Sequence, residues 1–204
     1  EILKKNPRDL EGIILKGRLA LIQRKYPEAT SIFQNVIKEE PDLPLGHYYL
    51  GQVYLQTRDF QLAKKEFSET LRLSPQFPGA NAALAQISLS SQSYDDAIHE
   101  AQKALESSPN DPGLHILLGN AQLGKKNIPA ALSAYQKSVK LAPQSTEGYF
   151  QMGIAYRILK REKEAIASFE KALELNPRLG QALGQIMEIY IQGGEKKKAI
   201  DRAE

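Results

Sequence analysis

Residues 146–179 read TEGYFQMGIAYRILKREKEAIASFEKALELNPRL, and the placement of a few residues in this stretch decides the fold. Pro177 near its end is the last of six prolines, Pro7, Pro41, Pro75, Pro109, Pro143 and Pro177, which stand 34 residues apart without a slip. Ala165 belongs to a second series with the same step: Ala29, Ala63, Ala97, Ala131, Ala165 and Ala199. One loop insertion would break such a register. A fixed period of this length marks a stack of similar supersecondary pieces.

Taking the proline as the thirty-second residue, the repeats start at Leu10, Pro44, Pro78, Pro112, Thr146 and Gly180. Residues 10–43, 44–77, 78–111, 112–145 and 146–179 are then five full repeats, 1–9 the tail of a preceding one, and 180–204 a partial one, all in a single array over 1–204. Within a repeat, apolar residues recur at helical steps, as in Leu50, Val53 and Tyr54, then Leu62, Phe67 and Leu71. Each repeat therefore reads as two helices. Pro44, Pro78 and Pro112 open first helices, and Pro27 and Pro129 open second ones, where a missing N–H costs nothing. The 34-step prolines stop the second helices.

The eighth position holds Gly17, Gly51, Ala85, Gly119, Gly153 and Met187, and the twenty-fourth holds Phe33, Phe67, Ala101, Tyr135, Phe169 and Ala203. Small residues at positions eight and twenty are expected to face each other, Gly153 against Ala165, with the large residue at twenty-four filling the space where the next repeat docks. Ala101 predicts looser packing in the third repeat.

This pattern resembles the tetratricopeptide repeat (TPR) family over nearly all 204 residues. The repeat 146–179 is the nearest to the family signature, through Tyr149, Met152, Gly153, Tyr156, Ala165, Phe169, Ala172 and Pro177. The family's first aromatic position is replaced elsewhere by Ile13, His47, Asn81, His115 and Leu183. The resemblance implies an all-α solenoid of antiparallel helix pairs, about six repeats wound as a right-handed superhelix, whose first helices line a concave wall. The run from Gly46 to Lys64 is also similar to TPR proteins of bacterial envelope and exopolysaccharide systems.

Zero cysteines exclude disulfides and thiolate metal sites, and fit the cytoplasm and a bacterial periplasm alike. There is no apolar run long enough to span a membrane. A net charge of +3 is too mild for a nucleic-acid protein. The opening, Glu1 to Pro7, reads as the tail of a helix, and the chain stops inside a second helix at Glu204, so targeting signals are expected outside this segment. Open ends are expected to leave Ile2 and Leu3 unpartnered and Leu183, Ile186, Met187 and Tyr190 only partly covered, favouring end-to-end association.

No catalytic constellation is legible, and no cofactor or metal is expected. His47 and His115 share the fourth position of their repeats, 68 residues apart, and read as structural. Gly193-Gly194 is a helix–helix turn that lacks the lysine of a phosphate loop.

Charge is distributed unevenly. The first fourteen positions of the six repeats, 84 residues, carry only seven of the 51 charged residues. By the resemblance this nearly neutral wall is the ligand-facing one, and its fifth, sixth, ninth and thirteenth positions supply the candidate site: Tyr48, Tyr49, Gln52, Gln56, Gln86, Asn120, Phe150 and Gln151. Gln52, Gln86 and Asn120 form a row of amides, which donate and accept at once and so match the backbone of an extended peptide. The aromatics supply apolar anchoring area. The expected function is a scaffold binding a mostly neutral peptide or partner helix. The second reading is a regulatory or assembly arm of a larger enzyme or secretion system. The family's carboxylate clamp of lysine, asparagine and arginine is excluded, because only Asn120 matches it, and Ile116, Gln151, Gln181 and Gln185 in the other positions leave no cation. A row of cations in the turns after first helices, Arg24-Lys25, Arg58, Lys125-Lys126, Lys160-Arg161 and Lys196 to Lys198, is read chiefly as an offset to the helix dipoles.

Overall fold

A computed structural model describes residues 9–201. Among them are twelve α-helices and no strand. The first helices of the repeats are α1 (Leu10–Ile22), α3 (Pro44–Gln56), α5 (Pro78–Ser90), α7 (Pro112–Gly124), α9 (Thr146–Ile158) and α11 (Gly180–Gln192). The second helices are α2 (Tyr26–Glu39), α4 (Phe60–Leu73), α6 (Tyr94–Ser107), α8 (Ile128–Leu141), α10 (Glu162–Leu175) and α12 (Lys196–Asp201). Every first helix begins at the residue the period assigns to the start of a repeat. Pro7, Ile2, Leu3 and Ala203, which carried some of the sequence-based expectations, lie outside the described residues.

Local chemistry fixes the starts. Asp9, Asp111 and Ser145 each cap a first helix, their side-chain oxygens accepting from the N–H groups of Gly12, Gly113 and Gly148 at 2.8, 2.8 and 3.1 Å. Proline does the same work at α3 and α5, where no side-chain cap exists.

First helices end in a repeated device. The N–H groups of Lys25, Asp59, Asn127, Arg161 and Glu195 reach back five residues, to Ala20, Tyr54, Gln122, Tyr156 and Tyr190, at 2.8–2.9 Å. These 6→1 bonds need a left-handed residue just before the donor. That residue is Arg24, Arg58, Lys126, Lys160 and Gly194, with φ of 58, 64, 65, 58 and 78°. Gln92 adopts the same conformation at the equivalent position, φ 60°.

The chain divides into two compact units, Glu1–Ser91 and Gln92–Glu204, and the division falls inside the repeat 78–111. In the first unit, Ala20, Ala29, Phe33, Leu50 and Val53 form one buried cluster, and Ala63, Phe67, Ala80, Ala83, Leu84 and Ile87 another. In the second, one cluster runs from Ala131 to Ile189 around Tyr135, Phe169 and Ile186. Phe33, Phe67, Tyr135 and Phe169 are fully buried. Each such ring contributes about 1.5–3 kcal/mol by leaving water.

The structure corrects two packing expectations. A methyl group on Gly153 would sit 2.6 Å from Phe169, and the three nearest heavy atoms all belong to that ring rather than to Ala165. The same holds for Gly51 against Phe67 at 2.8 Å and Gly119 against Tyr135 at 2.4 Å, while Gly17 meets Phe33 at 2.6 Å. The large residue at position twenty-four thus covers the glycine of its own repeat and also fills the space where the next repeat docks, as Phe33 stacks on Tyr49 and Phe169 shares a cluster with Ala182 and Ile186. Secondly, Ile186 is fully buried in the cluster of the second unit instead of partly covered. Leu183, Met187 and Tyr190 are half-buried, as expected.

Candidate functional site

In the first unit α3 and α5 carry Tyr48, Tyr49, Gln52, Gln56 and Gln86. The two tyrosines are half-buried. Tyr48 packs against Phe77 at a ring separation of 4.8 Å and against Tyr49 at 5.2 Å. It also rests on Gly79, where a methyl group would come within 2.9 Å of its hydroxyl. Burial is the main cause that pushes the Tyr48 hydroxyl above its ordinary pKa, the neighbouring Tyr49 adds to it, and a hydrogen bond to Gln52 opposes it. Tyr49 stacks on Phe33 at 5.3 Å, and the guanidinium of Arg18 lies over its ring, 5.5 Å from the centroid.

The amides differ in what they have left to offer. Gln52 is engaged by Tyr48. Asn120, on α7 of the second unit, accepts a 2.8 Å hydrogen bond from the buried hydroxyl of Tyr135 through Oδ1, which leaves Nδ2 for a ligand. Gln56 and Gln86 are exposed and have no partner among the described residues. In the second unit Phe150 on α9 is half-buried and tilted against Phe169 at 5.6 Å, and Gln151 is half-buried beside it in sequence.

The structure brings Gln56 and Gln86 into one cleft of about 530 Å³, lined also by Leu55, Arg58, Phe60 and Ser90. Phe60 is not among the residues the sequence offers as a site, and the sequence offers Arg58 as one of a basic edge of turn cations, read chiefly as an offset to the helix dipoles and otherwise as a contact for an anionic membrane or nucleic acid. Both follow the end of α3, Arg58 in the left-handed conformation, and both line the cleft. Arg18 was also missed, although it occupies the ninth position of its repeat.

A larger cleft, about 770 Å³, lies among α2, α3 and α4. Its charges are largely matched within its own walls. Glu66 meets His47 Nδ1 at 2.7 Å, and Glu69 meets Arg72 at 2.7 Å. The second ring nitrogen of His47 donates to the carbonyl of Pro41 at 3.2 Å, and His115 repeats this bond to Pro109 at 2.9 Å. These histidines tie the first helix to the proline that ends the repeat before it. Among the described residues no cluster of three or more metal-ligating side chains exists, and no helix is long and apolar enough to cross a membrane.

Family models described as tetratricopeptide repeat match residues 14–78, 50–112, 88–151 and 146–179. No curated protein matches the sequence. Among solved structures, the chain is similar to PilF of Pseudomonas aeruginosa at 14% identity, covering 95% of this chain and 88% of that one, with a TM-score of 0.85. It is similar to MamA (41-end) from Desulfovibrio magneticus RS-1 at 22% identity, covering 84% and 97%, TM-score 0.75. It is also similar to YrrB, described as a TPR protein with an unusual peptide-binding site, at 18% identity, covering 90% and 94%, TM-score 0.71. At these identities the likeness speaks for the fold.

Proposed function

Because the chain belongs to the tetratricopeptide repeat family, we propose that it is a scaffold without catalytic function that binds an extended, mostly neutral peptide or partner helix along the face of its first helices. One observation carries the reading. The helices α3 and α5 hold no charged residue, yet they expose Gln56 and Gln86 to solvent and half-expose Tyr48, Tyr49 and Gln52. A surface meant only to meet water normally carries charge. Primary amides beside aromatic area instead suit a peptide backbone with apolar side chains. In the second unit Asn120, Phe150 and Gln151 offer the same chemistry on α7 and α9.

Gln56→Ala with Gln86→Ala tests this, because neither amide has an internal partner whose loss would confuse the result. Circular dichroism should be unchanged. Retention of peptides from a synthetic, C-terminally amidated nonapeptide pool should fall. Retention equal to that of the parent chain would remove these helices from the binding surface.

A further inference from the structure

We propose that the cleft at the end of α3 holds a carboxylate of the partner peptide, clasped by Arg58 and the amides of Gln56 and Gln86, next to an apolar side chain resting on Leu55 and Phe60. The inference rests on the peptide reading above and adds to it a charged anchor at one point of an otherwise neutral partner.

Arg58 is a cation without an anion. Among the described residues it takes part in no ion pair and no side-chain hydrogen bond. The adjacent carboxylate, Asp59, is engaged elsewhere, accepting from the Thr57 hydroxyl at 2.6 Å. The cleft contains no acidic side chain at all. The larger cleft among α2, α3 and α4 shows the contrast, since its Arg72 is paired with Glu69 inside the same walls. One cleft is matched internally, and the other presents an uncompensated positive charge.

The donors present select the ligand. A guanidinium offers a planar fork of N–H groups and no acceptor, which fits the two oxygens of a carboxylate. The free amides of Gln56 and Gln86 add N–H donors from either helix. The Ser90 hydroxyl already donates to the Gln86 carbonyl at 2.9 Å, so it is not a competing donor. Phe60 is 37% exposed, and with Leu55 it gives the cleft an apolar side. A volume of about 530 Å³ is ample for two side chains of an extended peptide.

The left-handed backbone at Arg58, φ 64°, is the helix-ending device that Arg24, Gln92, Lys126 and Lys160 share, and Arg58 lines the cleft from that turn. The site is distinct from the absent carboxylate clamp, whose positions at Ile116, Asn120, Gln151, Gln181 and Gln185 hold no cation.

The test compares the full chain with Arg58→Gln. This variant is structurally conservative, because Gln92 holds the same conformation at the equivalent position. Two nonapeptide pools of random sequence, one amidated and one with free C-terminal carboxylates, are passed over each immobilised protein, and the retained peptides are identified by mass spectrometry. The parent chain should enrich peptides with a carboxylate beside an apolar residue. Arg58→Gln should retain those roughly tenfold less well and neutral peptides equally well. Enrichment from the amidated pool assigns an acidic side chain, and enrichment from the free-acid pool alone assigns a chain terminus. If both proteins retain acidic and neutral peptides alike, the anchor is overturned while the peptide reading stands. If neither protein retains any peptide, both are overturned together.

Discussion

At the scale of single residues, the fold rests on a lock between a glycine and a ring. Four repeats bring an aromatic side chain onto the bare backbone of the facing helix, and the tightest of the four is Gly119, where an added methyl would sit 2.4 Å from the Tyr135 ring. Alanine in mid-helix ordinarily gains about 1 kcal/mol over glycine. Here the added methyl must displace a fully buried ring, at about 1–3 kcal/mol. Gly119→Ala should therefore lower the urea midpoint, whereas Gly184→Ala, with nothing within 4 Å, should raise it. Equal shifts in the same direction would show that propensity and not the ring contact governs both sites. The same ring predicts a pH effect. Burial, helped by Glu147, pushes the Tyr135 hydroxyl above the ordinary tyrosine value of 10.0. The folded form then holds its proton to higher pH than the unfolded form does. The resulting stability is fully present below pH 10.0 and is lost as the pH rises above it. Tyr135→Phe should cost about 1 kcal/mol at neutral pH through the lost bond to Asn120. It should also flatten the alkaline decline, as denaturation midpoints measured across that range would show.

At the scale of elements, helix placement was legible because proline spacing and capping residues act locally. The six first helices start at Leu10, Pro44, Pro78, Pro112, Thr146 and Gly180, as the period requires. Choice of partner across a helix pair was not legible. Position twenty lies one turn from position twenty-four on the same face, and the atoms nearest the glycine are those of the ring at twenty-four. The site shows the same limit. Gln52 stands four residues after Tyr48, so their bond is an ordinary one-turn contact, but the capture of Asn120 by Tyr135 depends on how two helices meet. The turns after the first helices give an element-scale prediction. A non-glycine residue in the left-handed region costs roughly 1 kcal/mol or more. A cation there recovers a few tenths from the helix C-terminus. Gln92→Gly should therefore stabilise the chain by up to about 1 kcal/mol, and Lys160→Gly by less, since it also removes the charge. Guanidinium unfolding of both variants measures the difference. A larger gain at Lys160 would mean that its charge does nothing for the helix it follows.

At the scale of the whole molecule, the charge pattern and the core distribution describe different things. Charge is kept off the first helices, seven residues of 51 over 84 positions, and the proposed peptide reading draws on that pattern. The core belongs to stability, and its clusters are local: each is built from helices close in sequence. In repeat arrays stability is approximately a sum of terms for each repeat and for its contacts with its neighbours. In the second unit a single cluster from Ala131 to Ile189 includes Tyr135, Tyr156, Phe169 and Ile186, with Phe150, Met152, Ile154, Ile166 and Leu173 packed against it. Its ion pairs are also internal, Lys125 with Asp95 and Arg157 with Glu188 at 2.8 Å among them. None of these contacts draws on a residue before Gln92. Residues 92–204, expressed alone, should therefore be helical and should melt in a cooperative transition. Circular dichroism during a thermal ramp checks this. A broad, non-cooperative loss of signal would mean that the buried rings of α8 to α10 hold their places only with help from the first ninety-one residues.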